Sequence, residues 1–519
     1  MSVWSNRISI FALLALCGQL GVACSGKSDG PSNNAGTGAA AGTSADAAGS
    51  AGLAEVGGVS GSSALGGTGG TASATQSPVT IMSRFPAPAA SVCADAPLRL
   101  TFSAPVTVGS AGKVQLFKTS APDAPIDSID IAASYFHNTI EGRQFFNVRP
   151  IFIEGNDAVI YLNTGATKTP DSYFVTIDAG VFVDAMGSPL PAISGPDGWQ
   201  FSTVAPAPAD PTQLSVEREG GGDFCTVQGA IDFIPAMNMT PTTITLKKGT
   251  YHEVVFIPAK HNLTLHGEDR KQSIIAYPNN DLLNMKLGVG FRATIEAEAS
   301  NGLTIENLTV HNTTPQGGSQ AEAVRIEPGD KAILRDSDFI STQDTLLISG
   351  RAYIENSYIE GNVDYIWGKG TAYFFKVEVK TVNRPGYLVQ ARNTSTNYGY
   401  VFVDSTFTSD GKSNGTYLGR IEGDRFPYSN VTYLNCKFDA FIQPKGWLIT
   451  NSTGPSLDTL DLSHLQLSEY QSTDMAGMPL DVSMRDPHGK QLMADEAAML
   501  RDKATVLAGW DPTVTVPMP

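Results

Sequence analysis

From residue 214 onward, apolar and polar positions alternate in short runs that recur at coil-sized intervals. The unit reads L-R-D-S-D-F (334–339), I-E-N-S-Y-I (354–359), F-V-D-S-T-F (402–407) and L-N-C-K-F (434–438). Phe339, Ile359, Phe407 and Phe438 are 20, 48 and 31 residues apart, with F-F-K-V-E-V (374–379) in the widest gap. Period-two alternation predicts half-buried strands. A repeat of roughly 20–30 residues predicts stacked coils of a solenoid. Intervals of this irregular kind fit coils whose loops differ in length on one face, where a binding cleft forms. A sandwich gives similar strands but does not explain the twenty-residue repeats. The pattern thus predicts an all-β parallel β-helix over 214–515. Its entry, V-E-R-E-G-G-G-D-F-C-T-V-Q-G-A-I-D-F-I-P (216–235), predicts a strand, a glycine turn and a short helix with Val227, Ala230, Ile231 and Ile234 on one side.

The preceding segment has a different pattern. Leu98, Leu100 and Phe102 alternate, and A-V-I-Y-L (158–162) and Y-F-V-T-I (173–177) are short runs bounded by Gly, Asp and Pro. Such spacing without a helical period predicts a small β-sandwich over 78–205. No catalytic constellation stands out in it, so it reads as a spacer or weak binding module. A-P-A-P-A-D-P (205–211) predicts a stiff hinge, placed at 206–213. Residues 25–77 are almost wholly Gly, Ala, Ser and Thr and cannot bury enough apolar area to offset chain entropy, which predicts a disordered tether. Residues 1–24 read as an export signal, with Arg7 before an apolar run (Ile8 to Leu16) too short to span a bilayer. L-G-V-A-C (20–24) resembles a lipoprotein cleavage box, making Cys24 the candidate lipidation site; an ordinary secreted protein is the alternative. The expected location is extracytoplasmic, either anchored at a bacterial cell surface or secreted.

Charge and cysteine content narrow the function. A net charge of −16 disfavours nucleic acid, which needs basic surface to displace counterions. None of the five cysteines shows C-x-x-C spacing, so neither a zinc site nor another metal is expected. Cys93, Cys225 and Cys436 lie beyond the leader and allow at most one internal disulfide, of unspecified pairing.

The chemistry concentrates in Gln343 to Gly368, Q-D-T-L-L-I-S-G-R-A-Y-I-E-N-S-Y-I-E-G-N-V-D-Y-I-W-G. Asp344 and Asp364 are twenty residues apart, so a coil of that length stacks them on one face of adjacent turns. Paired carboxylates in unequal environments split roles, one ionised and one holding a proton.

This stretch resembles the two central motifs of the pectin methylesterase (pectinesterase) family. Q-D-T-L matches outright, and D-Y-I-W-G (364–368) stands where that family has D-F-I-F-G. G-T-Y-H-E (249–253) fits G-x-Y-x-E, and Q-A-E-A-V (320–324) stands at Q-A-V-A-L. L-G-R (418–420) matches the first half of L-G-R-P-W, and the tail from L-S-E-Y (467–470) to G-W-D-P (509–512) resembles the family's terminal segment. The resemblance implies a right-handed β-helix that hydrolyses methyl esters of pectin, acting without a cofactor. It implies Asp364 as nucleophile, Asp344 as general acid and then base, Gln343 and Gln320 as oxyanion donors, and Arg420 orienting Asp364. Trp367 and Tyr365 beside the nucleophile become candidate substrate contacts. An arginine pair is expected to keep Asp364 ionised, and repulsion by Asp364 to raise the pKa of Asp344. Residues 78–205 resemble bacterial immunoglobulin-like modules. One departure stands out: Ile421-Glu422 replace the family's Pro-Trp.

Other readings are weaker. G-K-S-D-G (26–30) and G-K-S-N-G (411–415) fit G-x-S-x-G but lack the strand and helix that a serine elbow needs. A polysaccharide lyase needs a calcium-binding carboxylate cluster, which the sequence does not display. A non-catalytic, surface-anchored polysaccharide-binding protein is the remaining alternative. Pectin is the expected partner, and a monomer the expected state.

Overall fold

The structure, a computed structural model, describes residues 78–513 except 134–135, 146–147, 285–290 and 455. The expected leader with Cys24 and the expected tether lie outside the described residues.

Three parallel sheets of eleven, nine and eight strands stack from Gln213 to Gln491. Each coil gives one strand to each sheet in turn. In one coil these are Arg351–Glu355 in the first sheet, Tyr358–Gly361 in the second and Val363–Gly368 in the third. The chain is thus a parallel β-helix, right-handed as parallel crossovers are.

The repeated sequence unit is a corner device. At Asn307, Asp336, Asn356, Lys376, Asp404 and Asn435, between first-sheet and second-sheet strands, φ lies between 48° and 55°. Asn and Asp tolerate this left-handed conformation better than other non-glycine residues, which explains their recurrence there. After Asp336, Asn356 and Asp404 a serine turns inward. Ser337, Ser357 and Ser405 donate their hydroxyls to the carbonyls of Arg335, Glu355 and Val403 at 2.8, 2.8 and 3.0 Å. Cys436 occupies the same rung, buried and unbonded to another cysteine, its thiol 3.5 Å from the Leu434 carbonyl. Next in the unit come the core residues Phe339, Ile359, Val379, Phe407 and Phe438, in register on successive coils. The rings of Phe407 and Phe438 stack with centroids 4.6 Å apart. Val379, from F-F-K-V-E-V, fills the widest sequence gap.

The entry helix, Val227–Phe233, buries Val227, Ala230 and Ile231 against the first coil as its spacing predicts. The short C-terminal helices Ala494–Arg501 and Lys503–Val506 pack instead on middle strands of the first sheet, over Tyr353, Tyr373, Val401 and Val403. Trp510 packs there and Trp447 in the main core.

Residues 81–204 form two facing sheets. One has strand order Ile81–Phe85, Leu98–Phe102, Asp157–Ile160, Ile151–Glu154. The other runs Ser91–Cys93, Gln200–Val204, Ser172–Ile177, Lys113–Lys118, Asp127–Asp130. Within the two, all pairs are antiparallel except Gln200–Val204 with Ser91–Cys93. Leu98, Leu100 and Phe102 bury their side chains in the shared core, along with Trp199.

The segment expected as a hinge does not leave the sandwich free. A Cys93–Cys225 disulfide joins sandwich to β-helix, and Asp95 accepts from the backbone N–H and hydroxyl of Thr226 at 2.8 and 2.6 Å. Glu154 is bonded to Arg218 at 2.8 Å and His252 at 2.5 Å, and the Phe152 ring stacks on His252. Arg143, from the hairpin Asn138–Ile140/Arg143–Phe145, lies 3.8 Å over the Phe256 ring and pairs with Glu298. Among the described residues no helix is long and apolar enough to cross a membrane.

Candidate active site

The candidate residues meet where second-sheet strands turn into third-sheet strands. Gln320 precedes Val324–Ile326, Gln343 and Asp344 precede Leu346–Ile348, and Asp364 is the second residue of Val363–Gly368. The Ala321 N–H donates to the Gln343 carbonyl, placing the two glutamines on neighbouring coils. Gln343 bridges to Val363 and the Asp344 N–H donates to the Val363 carbonyl, so the two aspartates stack on adjacent coils as their spacing predicts. Both occupy the left-handed region, with φ of 65° and 50°. Strain of this kind clusters at functional sites.

The motif glycine is also explained. Gly368 has φ of 131°, and a Cβ there would lie 2.1 Å from the Ile348 carbonyl oxygen of the previous coil. No other residue type fits there without displacing that backbone.

Asp364 is held by Arg420 from the strand Tyr417–Glu422. Nε lies 3.1 Å from Oδ1, and Nη2 bonds Oδ2. Burial nevertheless prevails: Asp364 is 3% exposed, and its carboxyl is pushed up to about 6 by desolvation against the pull of Arg420. At neutral pH the carboxyl is ionised, as expected, but burial raises it by more than Arg420 lowers it. Asp344, also buried, is raised well above the usual carboxylate range, first by burial and next by Glu322. Repulsion from Asp364 raises it too, as expected, but ranks behind both. The two carboxyls are still unequal, so one can be ionised while the other carries a proton.

Four residues at the site were not read from the sequence. Arg292 bonds Asp344 and Glu322, and Arg392 lies 4.3 Å over the Trp367 ring and donates to Gln390 at 2.9 Å. The charge inside Q-A-E-A-V breaks an apolar run and could have flagged Glu322. Arg292, Arg392 and Gln390 carry no comparable local signal.

Two expected substrate contacts look different in the structure. Tyr365 is fully buried in the main core with its hydroxyl 2.8 Å from the Thr381 hydroxyl, so it does not face a substrate. A register irregularity between Val363 and Ile366 turns Tyr365 and Ile366 both inward. Trp367 faces outward, but Arg392 covers its ring and only 5% of it is exposed. At the departure from the family pattern, Ile421 is core and Glu422 accepts from Gln390 and Arg425, each at 2.9 Å.

A cavity of about 500 Å3 lies at the seam between sandwich and first coil and includes none of the candidate catalytic residues. The one His/Cys/Asp/Glu group with ligand spacing among the described residues is Cys93–Asp95–Cys225, whose sulfurs are bonded to each other.

A Pectinesterase family model matches residues 213–478. Pectinesterase 31 of Arabidopsis thaliana is 31% identical over 244 residues, spanning 45% of this chain and 76% of that protein. Pectinesterase 2 of Olea europaea is 31% identical over 289 residues, 50% of this chain and 76% of its own. Among solved structures, pectin methylesterase from carrot aligns with TM-score 0.51 and 25% identity, over 60% of this chain and 98% of that one. Pectin methylesterase PemA from Erwinia chrysanthemi aligns with TM-score 0.50 and 25% identity, over 60% and 100%. The chain belongs to the pectinesterase family.

Proposed function

We propose that this protein hydrolyses the methyl esters of galacturonate residues in pectin, releasing methanol and pectate by way of Asp364. The observation that carries the reading is the buried Asp364–Arg420 pair with Asp344 stacked on the neighbouring coil. Ester cleavage needs a nucleophile, donors for the tetrahedral oxyanion and a proton for the leaving alkoxide. The ionised Asp364 carboxylate attacks the ester carbonyl while the amides of Gln343 and Gln320 donate to the oxyanion. Asp344 gives its proton to the departing methoxide, which leaves as methanol, and an acyl-enzyme anhydride remains. Asp344, now a carboxylate, takes a proton from water; the hydroxide opens the anhydride and frees Asp364. The scheme calls on no cofactor. Trp367 serves as the support on which Arg392 rests beside the cleft.

The test is methanol release from methylated pectin. The native protein should turn over many equivalents, and Asp364→Ala none. Turnover retained in Asp364→Ala removes the assignment.

The same reading covers location and the N-terminal regions. Its substrate is a cell-wall polymer, so the protein works outside the cytoplasm, either tethered through a lipidated Cys24 or secreted. The sandwich is an immunoglobulin-like spacer, and the protein acts as a monomer. Replacing Cys24 with Ala should release the protein from the membrane fraction. A native protein already free outside the cell rules the anchor out.

A further inference from the structure

A general acid must hold a proton, yet Asp344 has an arginine against it that favours the ionised form. Arg292 Nη2 lies 2.9 Å from Asp344 Oδ2. The same guanidinium is tied more fully to Glu322: Nη2 is 2.8 Å from Oε1, and Nε is 3.0 and 2.9 Å from the two oxygens. Its Nη1 reaches Asp281 at 3.4 Å, where the carboxylate is 28% exposed and the interaction is screened by water. Glu322 is 0% exposed and Asp344 only 6%.

One guanidinium thus faces two buried carboxyls. Glu322 takes three of its hydrogen bonds and Asp344 one. With Glu322 ionised and Asp344 protonated, this buried trio is electrically neutral, the arrangement that a desolvated site favours. We propose that Arg292 and Glu322 form a positioning pair for Asp344. The arginine fixes the orientation of the carboxyl, and Glu322 cancels the arginine's charge so that the carboxyl keeps its proton for the leaving methoxide. The proposal rests on the reading of Asp344 as the general acid. With Oδ2 occupied by Arg292, the proton sits on Oδ1.

The remaining charges around Asp344 do not supply this balance. Asp364 on the next coil is already matched by Arg420, with Glu422 behind it. Arg392, beyond the strand Tyr387–Ala391, opposes proton retention on Asp344. On the far side of Glu322, Arg325 is engaged by Glu296 and Glu327. Burial and Glu322 raise Asp344 while Arg292 and Arg392 lower it. Glu322 stands where the family pattern has valine, so the pair is a feature of this chain.

The experiment is the pH dependence of kcat/KM and kcat for methanol release, comparing the native protein, Glu322→Gln and the double variant Arg292→Met/Glu322→Gln. The alkaline limb reports loss of the Asp344 proton. In Glu322→Gln the uncompensated arginine should draw that limb down by about one pH unit or more, leaving the acid limb of Asp364 in place. Neutralising both partners should return the limb toward its native position while lowering kcat at unchanged KM, because the carboxyl is no longer held. A role in folding alone scales the rate without moving the limb. An unmoved limb in Glu322→Gln, or full kcat in the double variant, overturns the proposal. The double variant alone decides if the single one does not fold. Turnover surviving in Asp344→Asn would instead show that the general-acid reading fails, independently of the pair.

Discussion

Asp364 shows at the scale of one residue how two effects compete. Its ion pair with Arg420 favours the charge and burial opposes it, and burial prevails, leaving the carboxyl near 6. In its proposed role as nucleophile Asp364 must be ionised, so kcat/KM should fall about tenfold per pH unit below 6. Arg420 lowers this carboxyl, so Arg420→Gln should move that acid limb to higher pH. An acid limb that stays put in the variant counts against the pair as the tuning contact. Gln343→Ala should lower kcat by about 100- to 1000-fold, the usual loss of one oxyanion donor, as read by initial rates of methanol release. Asp344, Asp364, Gln343, Gln320 and Arg420 could be singled out in the sequence because each sits in a short motif. Their protonation could not be read there, because Glu322 and Arg292 reach Asp344 from other coils.

At the scale of the element, the corner of each coil is a local device and therefore readable. Asn, Asp and a small residue recur because the backbone turns left-handed there. Lys376 and Gln471 are the exceptions, with φ of 53° and 49° at corners otherwise held by Asn307, Asp336, Asn356, Asp404 and Asn435. Lys376→Asn should stabilise the fold by up to about 1 kcal/mol, measured as a shift in the urea midpoint at unchanged slope. A lower midpoint means that the lysine's contact with the Phe375 ring outweighs the backbone term. Glu253 of G-T-Y-H-E accepts from the N–H groups of Val227 and Gln228 at the start of the entry helix, both at 3.0 Å. Glu253 thus holds the entry helix in place, and the Tyr251 hydroxyl lies 3.1 and 2.9 Å from the Val216 and Lys247 carbonyls. Tyr365, expected at the substrate because it adjoins Asp364, lies in the core, and the register shifts between Val363 and Ile366. Bulges of this kind sit next to active sites and re-aim side chains.

For the whole molecule, the disulfide between Cys93 and Cys225 closes 132 residues of chain and clamps the sandwich to the first coil. Replacing both cysteines with serine should lower thermal stability; the chain-entropy model sets the loss at no more than about 5 kcal/mol for loops of this size. The comparison is the melting temperature of the native and doubly substituted proteins. An unchanged value means that Asp95, Glu154 and Arg143 hold the seam by themselves. The net charge of −16 acts over longer distances. Close to the site Glu422 is matched by Arg425 and Gln390, so repulsion of the demethylated product arises from the whole field and not from that one carboxylate. Highly methylated pectin should be the faster substrate at low salt, with the difference shrinking as salt screens the field. Equal initial rates at low salt, at matched ester concentration, remove electrostatics as the determinant.

The sequence by itself determined the coil repeat, the corner residues and the motifs that carry the ester chemistry, because each depends on neighbours within a few residues or one coil length. Tertiary structure decided what depends on residues far apart in the chain. It chose Cys225 as the partner of Cys93 and left Cys436 in a rung of serines. It made the expected hinge a fastened seam. It turned Tyr365 inward and put Arg392 over Trp367. It also set the charge of the two aspartates through burial and through Arg292 and Glu322, a balance that exists only once separate coils are stacked and water is excluded between them.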